Sequence, residues 1–111
     1  MILMAITAYC EATDVQVVNS QRSYTTGTKP TLAQVEEMCI NGYREINGRL
    51  AALGYTVPIP TTATEGYKML KTINAYFGAG QAELSVVGGE DRGVVLLKEY
   101  ERRMKLIESG Q

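Results

Sequence analysis

The chain has 111 residues, 45% hydrophobic and 21% charged, and its 11 basic and 12 acidic residues give a formal net charge of −1. This length fits one domain, and the near-zero charge excludes a general electrostatic attraction to nucleic acid or membrane surfaces. The chain contains no histidine. The commonest general base and the commonest transition-metal ligand are therefore missing, which argues against an enzyme.

The two cysteines, Cys10 and Cys39, do not have a metal-binding spacing. Cys39 falls on the apolar face of a predicted helix, so we expect a small buried core residue there. The state of Cys10 stays open: free thiols in a reducing compartment are the default, and a disulfide between the two cysteines is the alternative. Residues 1–8 lack a basic region and are too short for a signal peptide or a membrane span, so they are expected to pack on the core as an extended segment.

The first predicted element is a short helix over about residues 14–19, because residues 13–16 have a capping-box pattern that begins at Thr13. A long exposed loop follows over residues 20–30. It carries Arg22 and Lys29 without an acid, and Tyr24 is its only large apolar residue. Loops of this length are either functional segments or solvated, mobile connections, and both interpretations stay open.

The clearest element is a long amphipathic helix between Thr31 and Gly54. Thr31 and Gln34 have the spacing of a capping box, and Gly54 suits the left-handed position that follows a helix. Apolar residues recur at steps of three and four, which predicts one buried face. This face contains Val35, Met38, Cys39, Gly42, Tyr43, Ile46, Leu50 and Leu53.

Residues 55–62 are predicted to be an extended crossover because Pro58 and Pro60 restrict the backbone. A third helix is expected from residue 62 or 64 to about residue 86, with Asn74 and Gln81 at the edge of its apolar face. That face contains Tyr67, Leu70, Ile73, Phe77 and Leu84. A second strip of small residues would let another backbone come close; it contains Ala75, Gly78, Ala79 and Ala82.

The last helix is predicted to begin at Glu90 and Asp91, whose charges suit the positive end of a helix dipole, and to end at Gly110. Its expected buried face contains Gly93, Leu96, Leu97, Tyr100, Met104 and Ile107, and its expected exposed ion pairs are Glu99–Arg103 and Glu101–Lys105. The predicted fold class is all-α: a small bundle of three long amphipathic helices plus one short N-terminal helix, in a single domain over residues 1–111.

No motif predicts a catalytic residue, a cofactor or a metal site. The paired carboxylates at residues 36–37 and 90–91 fit a solvated surface and a helix start, and the glycines at residues 88–93 lack the phosphate-binding spacing. Several apolar or aromatic residues fall off the predicted core faces, among them Tyr24 and Leu106, and tyrosine is enriched in protein interfaces. From this set we predict a subunit interface that contains Met69, Tyr76, Val94 and Val95.

The element order and several short stretches resemble the head–tail connector family of tailed bacteriophages, the adaptor or head-completion proteins beneath the portal. The stretches are ATDVQ, NSQRSYTTGTKPTLAQVE, LAALGYTVPIP, INAYFGAG and LLKEYERRMKLIESG. The resemblance implies a non-enzymatic neck protein of the virion, present in the host cytoplasm during assembly. Its implied partners are the portal protein, a stopper or tail-completion protein, and further copies of itself in a ring, dodecameric in the better-known members. DNA would pass through the ring without sequence-specific binding.

By this analogy the loop supplies candidate portal or channel contacts, namely Arg22, Tyr24 and Lys29, and the last helix supplies candidate C-terminal contacts, namely Lys105, Leu106 and Ile107. The alternative is a small helical DNA-binding or regulatory protein, suggested by the short helix, the positive loop and the basic cluster at residues 102–105. The near-neutral charge and the lack of a helix with clustered basic residues count against this alternative.

Overall fold

A computed structural model describes residues 8–20 and 23–109, which form four helices and contain no strand. In chain order the helices are α1 (Ala12–Val18), α2 (Leu32–Ala52), α3 (Thr64–Leu84) and α4 (Glu90–Glu108). The predicted fold class, all-α with one short and three long helices, is confirmed. The expected helix end at Gly110 lies outside the described residues, and α4 itself ends at Glu108.

The ends of α2 follow from local residues. The hydroxyl oxygen of Thr31 accepts the Gln34 N–H at 3.2 Å, and the Gln34 side-chain oxygen accepts the Thr31 N–H at 2.8 Å. Gly54 has a φ of +94°, a left-handed value that residues with a Cβ rarely adopt. Both predicted end signals of this helix are therefore confirmed.

The start of α1 differs from the prediction. The helix begins at Ala12, with Glu11 rather than Thr13 as its N-cap. The Asp14 carboxylate accepts the Glu11 N–H at 2.8 Å. The prediction had assigned this role, acceptor of the N-cap N–H, to the Gln16 side chain. The Gln16 side chain instead accepts the backbone N–H of Tyr24 at 3.2 Å. The capping box that forms therefore consists of Glu11 and Asp14, two residues before the predicted pair of Thr13 and Gln16.

Helix α3 is the centre of the molecule, because it packs against α1, α2 and α4. One cluster of buried side chains lies where α1 meets α2 and α3, and it includes Val15, Val35, Cys39, Ala79 and Ala82. A second cluster lies toward the other end of α2 and includes Ile46, Leu50, Ile73, Tyr100 and Met104. The bundle therefore has two adjoining apolar regions along one central helix.

Glycines allow α3 and α4 to approach each other closely. A Cβ placed on Gly80 would lie 2.6 Å from Leu97 Cγ, and one placed on Gly93 would lie 2.8 Å from Leu84 Cγ. A Cβ on Gly78 would lie 3.0 Å from Val15 Cγ2, so α1 also rests against the small-residue strip of α3. The predicted close approach at this strip is confirmed.

Three expectations about the helix faces are wrong. Leu53, which follows the last residue of α2, and Leu84, the last residue of α3, are 47% and 41% exposed. Asn74 is fully buried instead of lying at an edge. Its amide donates to the Cys39 carbonyl at 3.0 Å and its oxygen accepts the Tyr9 N–H at 2.8 Å, so it joins α2 to the N-terminal segment.

The N-terminal segment was expected to pack on the core over residues 1–8. Residues 1–7 lie outside the described part of the chain, whereas Ala8 and Tyr9 pack against the first and second clusters respectively. The Tyr9 ring lies 4.9 Å from the Tyr43 ring, and its hydroxyl donates to Asn47. A tyrosine outside every helix is therefore one of the most buried residues of the chain, which periodicity did not predict.

The predicted ion pairs on α4 are partly right. Glu99 pairs with Arg103 at 2.6 Å as expected. Glu101 does not follow the expected pairing with Lys105, because its carboxylate lies 2.9 Å from Arg49 Nη1 of α2. An interhelical contact therefore replaces the contact within the helix.

Candidate functional site

The described part of the loop, residues 23–30, contains hydrogen bonds between its own residues. The Thr25 N–H donates to the Thr28 hydroxyl oxygen at 2.9 Å, and the Leu32 N–H donates to the Thr25 carbonyl at 2.9 Å. Pro30 is buried. Most of the remaining side chains in this part of the loop are exposed.

The prediction that Tyr24 lies off the core is wrong. Its side chain is only 5% exposed, and its hydroxyl oxygen accepts a hydrogen bond from the Asn19 amide at 3.1 Å. Tyr24 therefore holds the loop against the bundle and offers little surface to a partner. Arg22, the second predicted contact, lies outside the described residues. Lys29, the third, is exposed as expected.

Lys29 lies at a groove of about 770 Å³ between the loop, the first half of α2 and the end of α3. Its walls contain uncharged polar side chains, one acid, one base and two apolar side chains, so the groove has a mixed character. The side chains from α2 and from the end of α3 with its C-cap are Gln34, Glu37, Met38, Asn41, Gln81 and Ser85.

Beneath the loop lies a buried polar cluster that the sequence did not predict. The Asn19 amide donates to Glu83 Oε2 at 2.8 Å, and Arg92 Nε donates to Asn19 Oδ1 at 2.6 Å. Asn19 is fully buried and Glu83 is 1% exposed. The cluster joins the end of α1 to α3 and α4 and also holds Tyr24 in place. One signal was available, because Glu83 follows Ala79 by four residues and so lies on the small-residue strip.

Apolar side chains are exposed at the end of the bundle where α3 begins and α4 ends. We call Tyr55, Met69 and Leu106 the terminal patch; they are 49%, 50% and 44% exposed. Met69 lines two adjoining grooves, of about 330 Å³ and 250 Å³, which the patch shares. Among the predicted C-terminal contacts, Lys105 and Leu106 are exposed, whereas Ile107 is half-buried and lines the second groove.

A second group of exposed apolar side chains lies at the opposite end of these two helices, around the turn that joins α3 to α4. We call Leu84, Val87, Val94 and Val95 the turn patch. The predicted subunit interface is therefore divided, since Met69 belongs to the terminal patch while Val94 and Val95 belong to the turn patch. Tyr76 belongs to neither, because it is half-buried against both core clusters with the Arg103 guanidinium 5.0 Å from its ring centre.

The basic cluster at residues 102–105 is largely paired. Arg102 and Arg103 each lie 2.6 Å from the Glu99 carboxylate. These two guanidinium groups lower the pKa of Glu99 to about 2, and the carboxylate in turn raises the pKa of Arg102. This surface therefore presents mixed charge instead of a free basic patch that could hold phosphates.

Within residues 8–20 and 23–109, no three side chains of the metal-binding types lie close enough together to hold an ion. None of the helices in this part of the chain has the length and apolar character that a membrane span needs. No protein-family model matches the chain, and no significantly similar curated protein or solved structure was found. The two apolar patches and the loop groove are thus the features from which a function has to be inferred.

Proposed function

We propose that the protein is a structural adaptor of a tailed-bacteriophage neck, where a homo-oligomeric ring of it joins the portal to the tail or stopper and extends the DNA channel. The resemblance of its sequence to connector proteins motivates this proposal. The observation that carries it is the presence of two separate apolar patches on a bundle whose core is otherwise closed. Large exposed apolar side chains that lie together are typical of protein–protein interaction sites.

The positions of the two patches are compatible with contacts in a ring. Val95 in the turn patch and Leu106 in the terminal patch lie on the same helix, and their separation along its axis is about 17 Å. In a ring, each contact joins two different surfaces of neighbouring subunits. A turn patch of one copy that contacts the terminal patch of the next would cover both patches in every subunit.

The shape and charge of the bundle also suit a channel wall. The described chain measures 39 × 39 × 20 Å, so it is a flat body that can stand beside identical copies around an axis. Its net charge is −1, and the arginines near the end of α4 are paired with Glu99. Such a surface would hold passing DNA weakly, because affinity for DNA depends on free cations that neutralise phosphates.

Electron microscopy of the chain mixed with the portal protein encoded in the same genome tests this proposal. We expect ring-shaped density on the portal and, in the absence of portal, mostly single copies at low concentration. Repeated weak contacts on a preformed ring of portal subunits would favour assembly there. If neither free rings nor portal-bound density appears over a wide range of concentrations, the proposal is wrong.

The alternative, a DNA-binding or regulatory protein, predicts a different result. It requires that the single chain bind short duplex DNA with an affinity that falls steeply as salt rises. We expect no such binding near physiological salt, measured by fluorescence anisotropy of a labelled duplex. Tight, salt-dependent binding would favour the alternative over the neck adaptor.

A further inference from the structure

The two cysteines of the chain meet in the core, although 29 positions separate them in the sequence. Cys10 precedes α1 and Cys39 lies on α2, and their sulfur atoms are 3.3 Å apart. Both are free thiols, and their side chains are 5% and 1% exposed. Two thiols in contact are one oxidation step away from a covalent bond between the N-terminal segment and α2.

We propose that Cys10 and Cys39 form a reversible disulfide site, which a small-molecule disulfide such as oxidised glutathione converts to a cross-link when the segment around Cys10 opens. This inference concerns two side chains of a single chain. It is therefore independent of the neck role and of any oligomer.

The surroundings hold the two thiols together. The Asn74 side chain donates to the carbonyl of Cys39 and accepts the N–H of Tyr9, so one side chain ties the backbone of α2 to the residue that precedes Cys10. Gly78 of α3 lies behind the pair, and a Cβ there would be 3.3 Å from the Cys39 sulfur. The absence of a side chain at Gly78 therefore leaves room for the thiols.

The closed fold protects both thiols from oxidation. Contact with Cys39 and burial raise the pKa of Cys10, with a smaller contribution from the nearby Asp14 carboxylate, which the Lys71 ammonium opposes. Because the thiolate is the form that attacks a disulfide, a buried protonated thiol reacts slowly. Reaction therefore requires that the segment before α1 leave its site, where the Tyr9 N–H is bonded to Asn74.

The reaction balances as two thiol–disulfide exchanges. The Cys10 thiol loses its proton to solvent, and its sulfur attacks one sulfur of the small disulfide, which releases one thiolate. The Cys39 thiolate, formed by loss of a second proton, then attacks the Cys10 sulfur of the mixed disulfide and releases the second thiolate. The two cysteines lose two electrons and two protons, and the small disulfide is reduced to two thiols.

The test uses the purified full chain in mixtures of oxidised and reduced glutathione. At equilibrium with excess oxidised glutathione we expect a monomer lighter by about 2 Da. Peptide mapping without reductant should show one linked pair that contains Cys10 and Cys39. Because the cross-link constrains the unfolded chain, we expect the melting temperature to rise by roughly 10 °C over the reduced protein.

Two variants and one rate measurement serve as controls. Cys10→Ser and Cys39→Ser should form no intramolecular link, should gain at most one glutathione adduct, and should not melt higher after oxidation. The oxidation rate of the wild-type chain should increase in urea well below the unfolding midpoint, because local opening exposes Cys10. A wild-type chain that keeps both thiols, stops at glutathione adducts or forms only intermolecular dimers would overturn the proposal, whether or not the variants fold.

Discussion

Two glycines on α2 show how much a single side-chain atom can matter in this bundle. Gly42 was predicted on the buried face, which is confirmed, whereas Gly48 is exposed. A Cβ on Gly42 would lie 2.6 Å from the Asn74 amide nitrogen and 2.8 Å from Phe77 Cδ1. A Cβ on Gly48 would meet no heavy atom within 4 Å. The two positions therefore respond in opposite directions to the same substitution.

We expect Gly42→Ala to lower the free energy of unfolding by about 1–3 kcal/mol, because Asn74 and Phe77 would have to move in a packed core. Gly48→Ala should raise it by up to about 1 kcal/mol, since alanine is the better helix former and nothing obstructs its methyl group. Urea unfolding followed by circular dichroism measures both. If both variants were stabilised equally, the close approach of α2 and α3 at Gly42 would be wrong.

Three polar residues are buried in the bundle, which the sequence pattern did not predict. Asn19, Asn74 and Glu83 are at most 1% exposed, and each has a hydrogen-bond partner within 3.0 Å. Helical periodicity treats such residues as surface or edge positions, because a polar side chain reaches the interior only where another segment supplies its partner. The partners here come from other elements far along the chain, so the sequence pattern of one helix could not reveal them.

At the scale of elements, one side chain links the ends of α2 and α4. Arg49 donates to both carboxylate oxygens of Glu108, at 2.7 and 2.8 Å, and to Glu101 at 2.9 Å. The guanidinium lowers the pKa of Glu108 below its usual value of 4.5, and the two glutamates raise the pKa of Arg49. The link is partly exposed, so solvent screening reduces its contribution to stability.

Arg49→Ala should therefore lower the free energy of unfolding at pH 7 by about 1 kcal/mol. Because the pKa of Glu108 is lower in the folded chain, the unfolded chain binds more protons as pH falls below about 5, and wild-type stability falls with it. This loss should be smaller in Arg49→Ala, in which the pKa of Glu108 is less depressed because only Lys105 still lowers it. Urea midpoints at pH 7, 5 and 3.5 measure the difference.

Arg102→Ala is the matched control for Arg49→Ala. Arg102 pairs with Glu99 on the exposed side of α4, so this ion pair does not link two helices. We expect no measurable change in stability at pH 7 from this variant. A loss equal to that of Arg49→Ala would mean that surface charge in general, and not the link between α2 and α4, determines the effect.

At the scale of the whole molecule, the two apolar patches contain seven of the nine large apolar side chains that are exposed in the described part of the chain. Val95 in the turn patch is 63% exposed, and Val17 on α1, outside both patches, is 77% exposed. These two valines have the same chemistry and similar exposure but differ in position. They therefore separate a specific contact surface from general surface hydrophobicity.

We expect Val95→Asp to abolish ring formation on portal protein while the single chain keeps its fold, because a carboxylate buried between two apolar patches would lack a partner. Val17→Asp should assemble like the wild-type chain. Electron microscopy with portal measures assembly, and circular dichroism confirms the fold. If both variants assemble normally, the turn patch is not a subunit interface.

The sequence alone determined the local features of this protein: four helices, the cap formed by Thr31 and Gln34, the left-handed Gly54, and most inward faces of the long helices. Each depends on residues within one or two helical turns, so short-range patterns suffice to predict it. Only the tertiary structure decided that Tyr9 and Tyr24 belong to the core, that Glu101 pairs with Arg49, that the two thiols meet, and that the predicted interface residues divide between two ends of one helix pair. These features depend on which distant segments become neighbours, and no local spacing encodes that.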